Sequence, residues 1–306
     1  MARIGDKMNK VLILTDSTCD LSQEIIKEYD IKVVPLHITF GEESLNDGID
    51  IHLPELYKRV EEENVMPKTA ACAPGEFIEF MEPYINEGYD IFYIGIGGKL
   101  STTLQSFQIA AEEFDEGRCY CSDGSNLSTG TGLLVLKACK YRDAGMSAKE
   151  IKERIERRVP RMKSQFVVRT LDYLHRGGRC SSVVKILGGA LRLRPMIVVR
   201  EGKLKVGKKI IGLMKKAVGV MTDMFLKDLE HIDPEFVFIT HTTDCEQSYA
   251  EIDARFKEAG VYDKVKHVYH TEAGCVVGSH CGPGTIGILY LMKDELEAEE
   301  FDDDKL

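Results

Sequence analysis

Short apolar runs alternate with amphipathic segments through the first half of the chain. The run VLILT (11–15) is rich in branched side chains, and an amphipathic segment separates it from the longer run IKVVPLHITF (31–40). The same alternation returns with IFYIGIG (91–97) and CYCSD (119–123), each followed by a segment of helical character. This order of strand, helix and strand is typical of βαβ units, and the longer run is expected to form one strand. The first half therefore predicts a parallel sheet.

The pattern changes in the second half of the chain. A charged amphipathic segment predicts a helix that ends at Pro160. Beyond it, apolar runs predict further strands, and PMIVVREGKLKV (195–206) has the form of a β-hairpin with Gly202 in its turn. We therefore predict an α/β protein of two domains, with a parallel sheet in residues 1–161 and a mixed sheet in residues 162–306.

The distribution of charge adds a candidate surface. The chain has 306 residues, 43% hydrophobic and 29% charged, which is the balance of a folded globular protein. Its net charge is −10, yet residues 152–216 carry 19 Lys or Arg against four acidic residues, a net charge of +15. This basic segment is a candidate face for an anionic partner or a phosphate group; the alternative is a solvated surface that acidic neighbours neutralise. The acidic total and the lack of a known module argue against nucleic acid, and the acidic tail at 293–306 is expected to be a frayed end.

The sequence also indicates a compartment. No apolar stretch approaches the roughly 20 residues that a membrane span requires, and MARIGDKMNK (1–10) lacks the apolar core of a secretory signal. Nine cysteines without a CxxC pair favour reduced thiols. Cys275, His280 and Cys281 match no common zinc spacing, so we expect no metal site. We expect a cytoplasmic protein with at most transient membrane contact.

Polar side chains occupy positions where α/β proteins bind ligands. Asp16 and Ser17 follow the first strand directly, and Ser101 begins a predicted helix. Each position is equally typical of a helix N-cap, and the two roles are compatible because a helix N-terminus attracts anions. Thr69 lies in PKTAACAP (67–74), which predicts an irregular loop in which a threonine ordinarily bonds its own backbone.

The glycine-rich motifs exclude common nucleotide sites. GPGTIG (282–287) matches GxGxxG, but a strand-like run follows it instead of the helix that would hold a pyrophosphate. The chain contains neither a P-loop nor a GxSxG motif. We expect a tight loop here, with His280 as a loop histidine. One enzymatic hypothesis stays open, in which Asp16, Ser17 and His280 serve a small-molecule phosphotransfer protein or a hydrolase.

Seven short motifs connect these fragments. They are TDSTCDL (15–21), KTAACAPGEF (68–77), KLSTTLQS (99–106), SDGSNLSTGTG (122–132), TLDYLHRGGRCS (170–181), MKKA (214–217) and GSHCGPGTIGI (278–288). In this order and spacing they resemble the DegV family of bacterial fatty-acid-binding proteins over nearly the full chain.

The resemblance implies both a fold and a role. The expected fold has a three-layer α/β/α N-terminal domain and a smaller C-terminal α/β domain, with a fatty acid between them and within the second. Carried over by motif position, Thr69 and Ser101 bind the ligand carboxylate and His280 lies near it. The family presents this carboxylate to a separate fatty acid kinase that makes the acyl phosphate, so the carrier is no enzyme and needs no cofactor beyond its lipid. The possible partner or phosphate face comprises Arg169, Arg176 and Arg179.

Overall fold

The computed structural model of the protein describes residues 9–181 and 193–294. Its strands are β1 (Lys10–Asp16), β2 (Ile31–Val34), β3 (His37–Phe40), β4 (Glu43–Asn46), β5 (Lys68–Ala70), β6 (Tyr89–Gly95), β7 (Cys119–Asp123), β8 (Met162–Val167), β9 (Leu193–Arg200), β10 (Lys203–Ile211), β11 (Ile232–His241), β12 (His267–Glu272) and β13 (Ile286–Met292). Its helices are α1 (Gln23–Glu28), α2 (Leu53–Glu63), α3 (Pro74–Asn86), α4 (Thr103–Ala111), α5 (Thr129–Asp143), α6 (Ala148–Arg158), α7 (Asp172–Gly177), α8 (Met214–Asp228), α9 (Glu246–Glu258), α10 (Val261–Lys264) and α11 (Cys275–Cys281).

The first half of the chain forms a parallel sheet in the order β2-β1-β6-β7, as predicted. Because side chains alternate between the two faces of a strand, β1 packs Leu12 and Leu14 against α3 and α4 on one face. Its other face packs Val11 and Ile13 against α5. Both faces are therefore covered by helices, which explains why the strand is apolar throughout instead of alternating with polar residues.

The second half of the chain forms a mixed sheet in the order β10-β9-β8-β13-β11-β12, also as predicted. The only parallel pair in the described sheet is β11 with β12, and the other neighbours are antiparallel. The β9–β10 hairpin is confirmed: Glu201 (φ 53°) and Gly202 (φ 71°) form its turn. Two successive positive φ angles are what a tight hairpin turn requires.

Helix α5 lies between the two sheets. Twelve of its fifteen residues are buried, so almost none of the helix is exposed to solvent. One side packs on β1 and β6, and the other packs on β11 and β13. Helices α8 and α9 cover the far face of the larger sheet, so the layers run α/β/α/β/α. The predicted boundary between residues 161 and 162 falls between the strands of the two sheets and stays a prediction.

One prediction for the first half was wrong. Residues 31–40 form two strands that belong to different sheets, because β2 joins the parallel sheet and β3 joins a small antiparallel sheet in the order β4-β3-β5. The change occurs at Pro35, which has no N–H to continue a ladder of hydrogen bonds. The loop predicted around Thr69 is also wrong, since Thr69 pairs with Ile38 as part of β5.

Several expectations fall on residues that the structure does not describe. The N-terminal residues 1–8, most of the acidic tail (295–306) and part of the basic segment (182–192) lie outside the described ranges. Among the helices within residues 9–181 and 193–294, none has both the length and the apolar character needed to cross a membrane.

Candidate functional site

A cavity of about 440 Å³ lies between loops of the first half of the chain and α11 of the second half. This volume is within the range of roughly 300–1,000 Å³ that is typical of small-molecule sites. Its buried apolar wall consists of Leu36, Ile96, Leu100, Leu127, Leu204, Val276, Val277 and Cys281. The wall therefore combines side chains from the loops after β2, β6 and β7, from β10 and from α11.

The polar lining gathers residues that are remote in sequence. Thr69, Ser101 and His280, all predicted as site residues, line this one cavity together with Arg179. Lys99 lines it as well. Sequence reasoning missed Lys99, although its place two residues before Ser101 in the KLSTT motif is a signal that could have found it.

Thr69 and His280 form the central polar contact, with 3.0 Å between Thr69 Oγ1 and His280 Nε2. The other ring nitrogen of His280, Nδ1, is buried and has no hydrogen-bond partner among the described residues. We assign the imidazole proton to Nε2, because an orphaned buried N–H is rarer than an orphaned acceptor. His280 then donates to Thr69, whose own hydroxyl proton is free to meet a ligand.

The backbone beneath His280 requires glycine. A Cβ at Gly177 would lie 2.2 Å from His280 Nδ1, so the last residue of α7 has no room for a side chain. The ring is thus packed between the end of α7 and β5. The prediction that His280 lies in a loop is wrong, because it belongs to α11. The valines and glycine of that helix have weak helix propensity, and tertiary packing overrides it.

Burial, and to a smaller extent the charge of Arg179, lower the pKa of His280 to about 4. In an unfolded chain the pKa of histidine is about 6.5, so between these values the unfolded chain binds a proton that the folded chain does not. Acidification through this window should therefore lower the free energy of unfolding, by on the order of 3 kcal/mol. Denaturation in urea from pH 7 to pH 4.5 should show this loss in the wild type and a smaller one in His280→Gln. A ring resonance of His280 that titrates near pH 6.5 would contradict the lowered pKa.

Ser101 lies two residues before the first residue of α4. Helix α4 starts at Thr103 with Thr102 as its N-cap, so the expected capping by Ser101 occurs one residue earlier than a standard cap. Ser101 Oγ accepts the Thr103 N–H at 3.3 Å and lies 2.8 Å from Thr103 Oγ1. Its own N–H donates to Gly97 O at 3.2 Å. These bonds hold the hydroxyl at the positive end of a helix, where an anion is stabilised.

The three predicted arginines occupy different places. Only Arg179 lines the cavity, and its guanidinium donates to Gly177 O at 2.9 Å. Arg169 donates to Asp244 O at 2.8 Å, and a Cβ at Gly284 would lie 2.3 Å from its Nε. Arg176 is exposed on α7. The structure thus separates one arginine at the cavity from two outside its lining.

The residues of the enzymatic hypothesis do not form one constellation. Asp16 is fully buried and accepts hydrogen bonds from Tyr93 (2.8 Å) and from the Ile96 N–H (2.9 Å). Ser17 donates to Asp47 at 2.9 Å and lines a different cavity from His280. Burial raises the pKa of Asp16, although its hydrogen bonds oppose this. Asp16 also caps the short 3₁₀ turn after β1, which is the N-cap role that the sequence offered as the alternative to ligand binding.

A smaller cavity of about 30 Å³ lies deeper in the protein. It shares Leu127, Val277 and Cys281 with the larger one and extends towards β11 and β13. Several hydroxyl residues border it, but their hydroxyls are turned to other partners: Thr242 donates to Gly282 O and Thr285 donates to Cys281 O. The deeper cavity is therefore lined mainly by carbon atoms.

The structure is thus an α/β protein with two packed sheets and a ligand-sized cavity whose lining combines apolar side chains with hydroxyl and cationic ones. No group of three or more His, Cys, Asp or Glu side chains within residues 9–181 and 193–294 is arranged to hold a metal ion.

Comparison with known proteins gives the family. A family model described as "Uncharacterised protein, DegV family" matches residues 10–293. A DegV domain-containing protein of Caldanaerobacter subterraneus is 35% identical over 286 residues, covering 94% of this chain and 100% of the relative. The chain belongs to the DegV family.

Solved structures give the same fold. The structure titled for the fatty acid binding of a DegV family protein from Thermus thermophilus has a TM-score of 0.85 at 29% identity, covering 93% of this chain and 100% of that chain. A hypothetical protein of Thermotoga maritima, whose structure is stated to reveal a fatty acid binding function, has a TM-score of 0.79 at 27% identity, with the same two coverages.

Proposed function

We propose that the protein binds a long-chain fatty acid, with the carboxylate at Thr69 and Ser101 and the acyl chain in the apolar cavity. The observation that carries this proposal is the composition of the cavity lining, which combines the hydroxyls of Thr69 and Ser101 and the cations Lys99 and Arg179 with aliphatic side chains. The fatty acid binding stated for the relatives from Thermus thermophilus and Thermotoga maritima supports it.

The energetics favour this class of ligand. Burying an acyl chain stabilises the complex by roughly 0.8 kcal/mol per CH₂, so a chain of about 16 carbons gains on the order of 10 kcal/mol before ordering costs. The carboxylate requires hydrogen bonds, because an unpaired charge in a dry site is costly. The hydroxyls of Thr69 and Ser101 supply donors, and Arg179 and Lys99 supply positive charge at the exposed side.

The deeper cavity gives the acyl chain a direction. A chain whose carboxylate lies at Thr69 meets Leu127, Val277 and Cys281, the three residues common to both cavities. Small movements of these side chains would join the two spaces. The tail would then run towards β13 in the second half of the chain.

The proposed role is that of a non-catalytic carrier in the bacterial cytoplasm. It presents the carboxylate to a separate fatty acid kinase, which forms the acyl phosphate. We assign the binding of this partner to the basic segment, residues 152–216. Within it, Arg179 lines the cavity, whereas Arg169 and Arg176 lie outside the lining. Hydroxyl donors suit this role, since they bind the carboxylate without the rigid clamp that a buried arginine pair would form. We propose no further cofactor.

Lipid analysis tests the proposal directly. Protein purified from a bacterial host should carry co-purified fatty acid, and mass spectrometry of a denatured extract should detect it in near-stoichiometric amount. Delipidated protein should take up added long-chain fatty acid but not the corresponding methyl ester, which lacks the carboxylate. An extract without lipid, combined with no uptake of added fatty acid, would refute the carrier function.

A further inference from the structure

Helix α11 carries His280. Backbone N–H groups at its N-terminus donate hydrogen bonds to two acidic side chains from the first 50 residues of the chain. The Gly274 N–H donates to Asp20 Oδ1 at 2.8 Å, and the Cys275 N–H donates to Asp47 Oδ1 at 2.7 Å. The N-cap residue is Gly274 itself, which has no side chain to cap the helix. The capping acceptors therefore come from more than 220 residues away in the sequence.

Each of these acids is itself held in place. Asp20 Oδ2 accepts the Ser128 hydroxyl at 2.5 Å, and Asp47 Oδ2 accepts the Ser17 hydroxyl at 2.9 Å. Both acids are buried, and neither has an ion-pair partner among the residues that the structure describes. A buried carboxylate without a cation is costly in free energy, so this arrangement is not explained by a gain in stability from charge pairing.

The geometry of the helix connects these acids to the cavity. A helix of seven residues is too short to hold its own conformation, so its position depends on its contacts. A Cβ at Gly278 would lie 2.1 Å from Leu53 Cδ1, and Tyr57 donates to Gly278 O at 3.1 Å. His280 lies about 7.5 Å along the helix from Cys275, given a rise of about 1.5 Å per residue. The hydrogen bonds at the N-terminus and the contacts at Gly278 therefore set the position of His280 together.

We propose that Asp20 and Asp47 are positioning residues that set α11 on the N-terminal half of the chain and thereby hold His280 against Thr69. Neither acid lines the cavity that Thr69, Ser101 and His280 share; both line a separate cavity of about 520 Å³. Any effect of the two acids on the first cavity therefore acts through the position of His280. The effect on ligand affinity rests on the proposed fatty acid function, whereas the position of the His280 ring does not.

The first test measures the ring without any ligand. In delipidated protein, Asp47→Ala and Asp20→Ala should each shift the ring ¹⁵N and ¹H resonances of His280. Asp47→Asn and Asp20→Asn, which keep an acceptor oxygen, should restore them towards the wild type. Ser17→Ala, which frees Asp47, is a milder second variant and should shift the same resonances less. Asp90→Ala serves as the control, because this acid pairs with Arg118 and does not touch α11. Unchanged His280 resonances in the folded alanine variants would overturn the proposal, whether or not the protein binds fatty acid.

The second test measures coupling. Asp47→Ala should weaken binding of palmitate about tenfold, and the same change should have little further effect in a His280→Ala background. Effects that multiply in the double variant would mean that Asp47 acts through general stability, and would also overturn the proposal. Wild-type protein that binds no palmitate would count against the proposed function alone, since the ring resonances decide the positioning separately.

Discussion

Replacing both Thr69 and Ser101 by alanine is expected to abolish most of the binding of a long-chain fatty acid. Each single change should weaken binding by about 1–3 kcal/mol, which corresponds to roughly 5- to 150-fold in Kd, because each removes a hydroxyl donor to a desolvated carboxylate. The double effect should differ from the sum of the single ones, because the two hydroxyls share one ligand group. Titration with a fluorescent fatty acid would measure all three variants.

Matched variants separate this effect from a loss of folding. Thr39→Ala removes a hydroxyl from the same small sheet, at a position that does not line the cavity, so affinity should stay at the wild-type level. Thr69→Ser keeps the hydroxyl and should retain most of the affinity. Wild-type affinity in the double alanine variant would refute the assignment of the carboxylate site.

The largest expected effect on stability comes from Gly95→Ala. A Cβ at this last residue of β6 would lie 2.0 Å from Asp16 Oδ2 and 2.1 Å from the Tyr93 hydroxyl oxygen. The same carboxylate oxygen accepts the Tyr93 hydroxyl and the Ile96 N–H, so the methyl group must displace a fully buried acid from its donors. A buried carboxylate that loses its hydrogen bonds destabilises a fold by about 3 kcal/mol or more.

Urea denaturation followed by circular dichroism would measure this change. Gly75→Ala is the matched control, because no atom lies within 4 Å of a Cβ at that position in the first turn of α3. It should leave the midpoint unchanged or raise it slightly, since alanine favours a helix more than glycine does. An unchanged midpoint for Gly95→Ala would show that the end of β6 can move to admit a methyl group.

Much of the fold was predictable from the periodicity of apolar residues. The runs that became β1 and β6 are apolar on both faces, which is a local property that indicates a parallel sheet covered by helices. The β9–β10 hairpin was predictable because Gly202 marks its turn. The division of residues 31–40 into two strands was not predictable. A run that spans Pro35 has the same composition whether its two parts join one sheet or two. The short β5 escaped prediction because three residues carry too little pattern.

The candidate site was predictable in its residues more than in its geometry. The motifs around Thr69, Ser101 and His280 predicted all three as candidate site residues, and the structure brings them to one cavity. Lys99 was missed because an exposed lysine is ordinarily a solvated surface residue, and only its place in the motif of Ser101 distinguishes it. Asp20 and Asp47 were missed because nothing near them in sequence indicates that they cap a helix at the other end of the chain.

The sequence by itself determined most of the strands and helices, the change from a parallel to a mixed sheet and the family motifs, because each of these depends on short stretches of neighbouring residues. Only the tertiary structure decided that α5 lies between the two sheets, that α11 starts on Asp20 and Asp47, and that Thr69 meets His280 across 211 positions. Such contacts depend on how complete elements pack, and packing is decided by shape and burial over the whole molecule instead of by local periodicity.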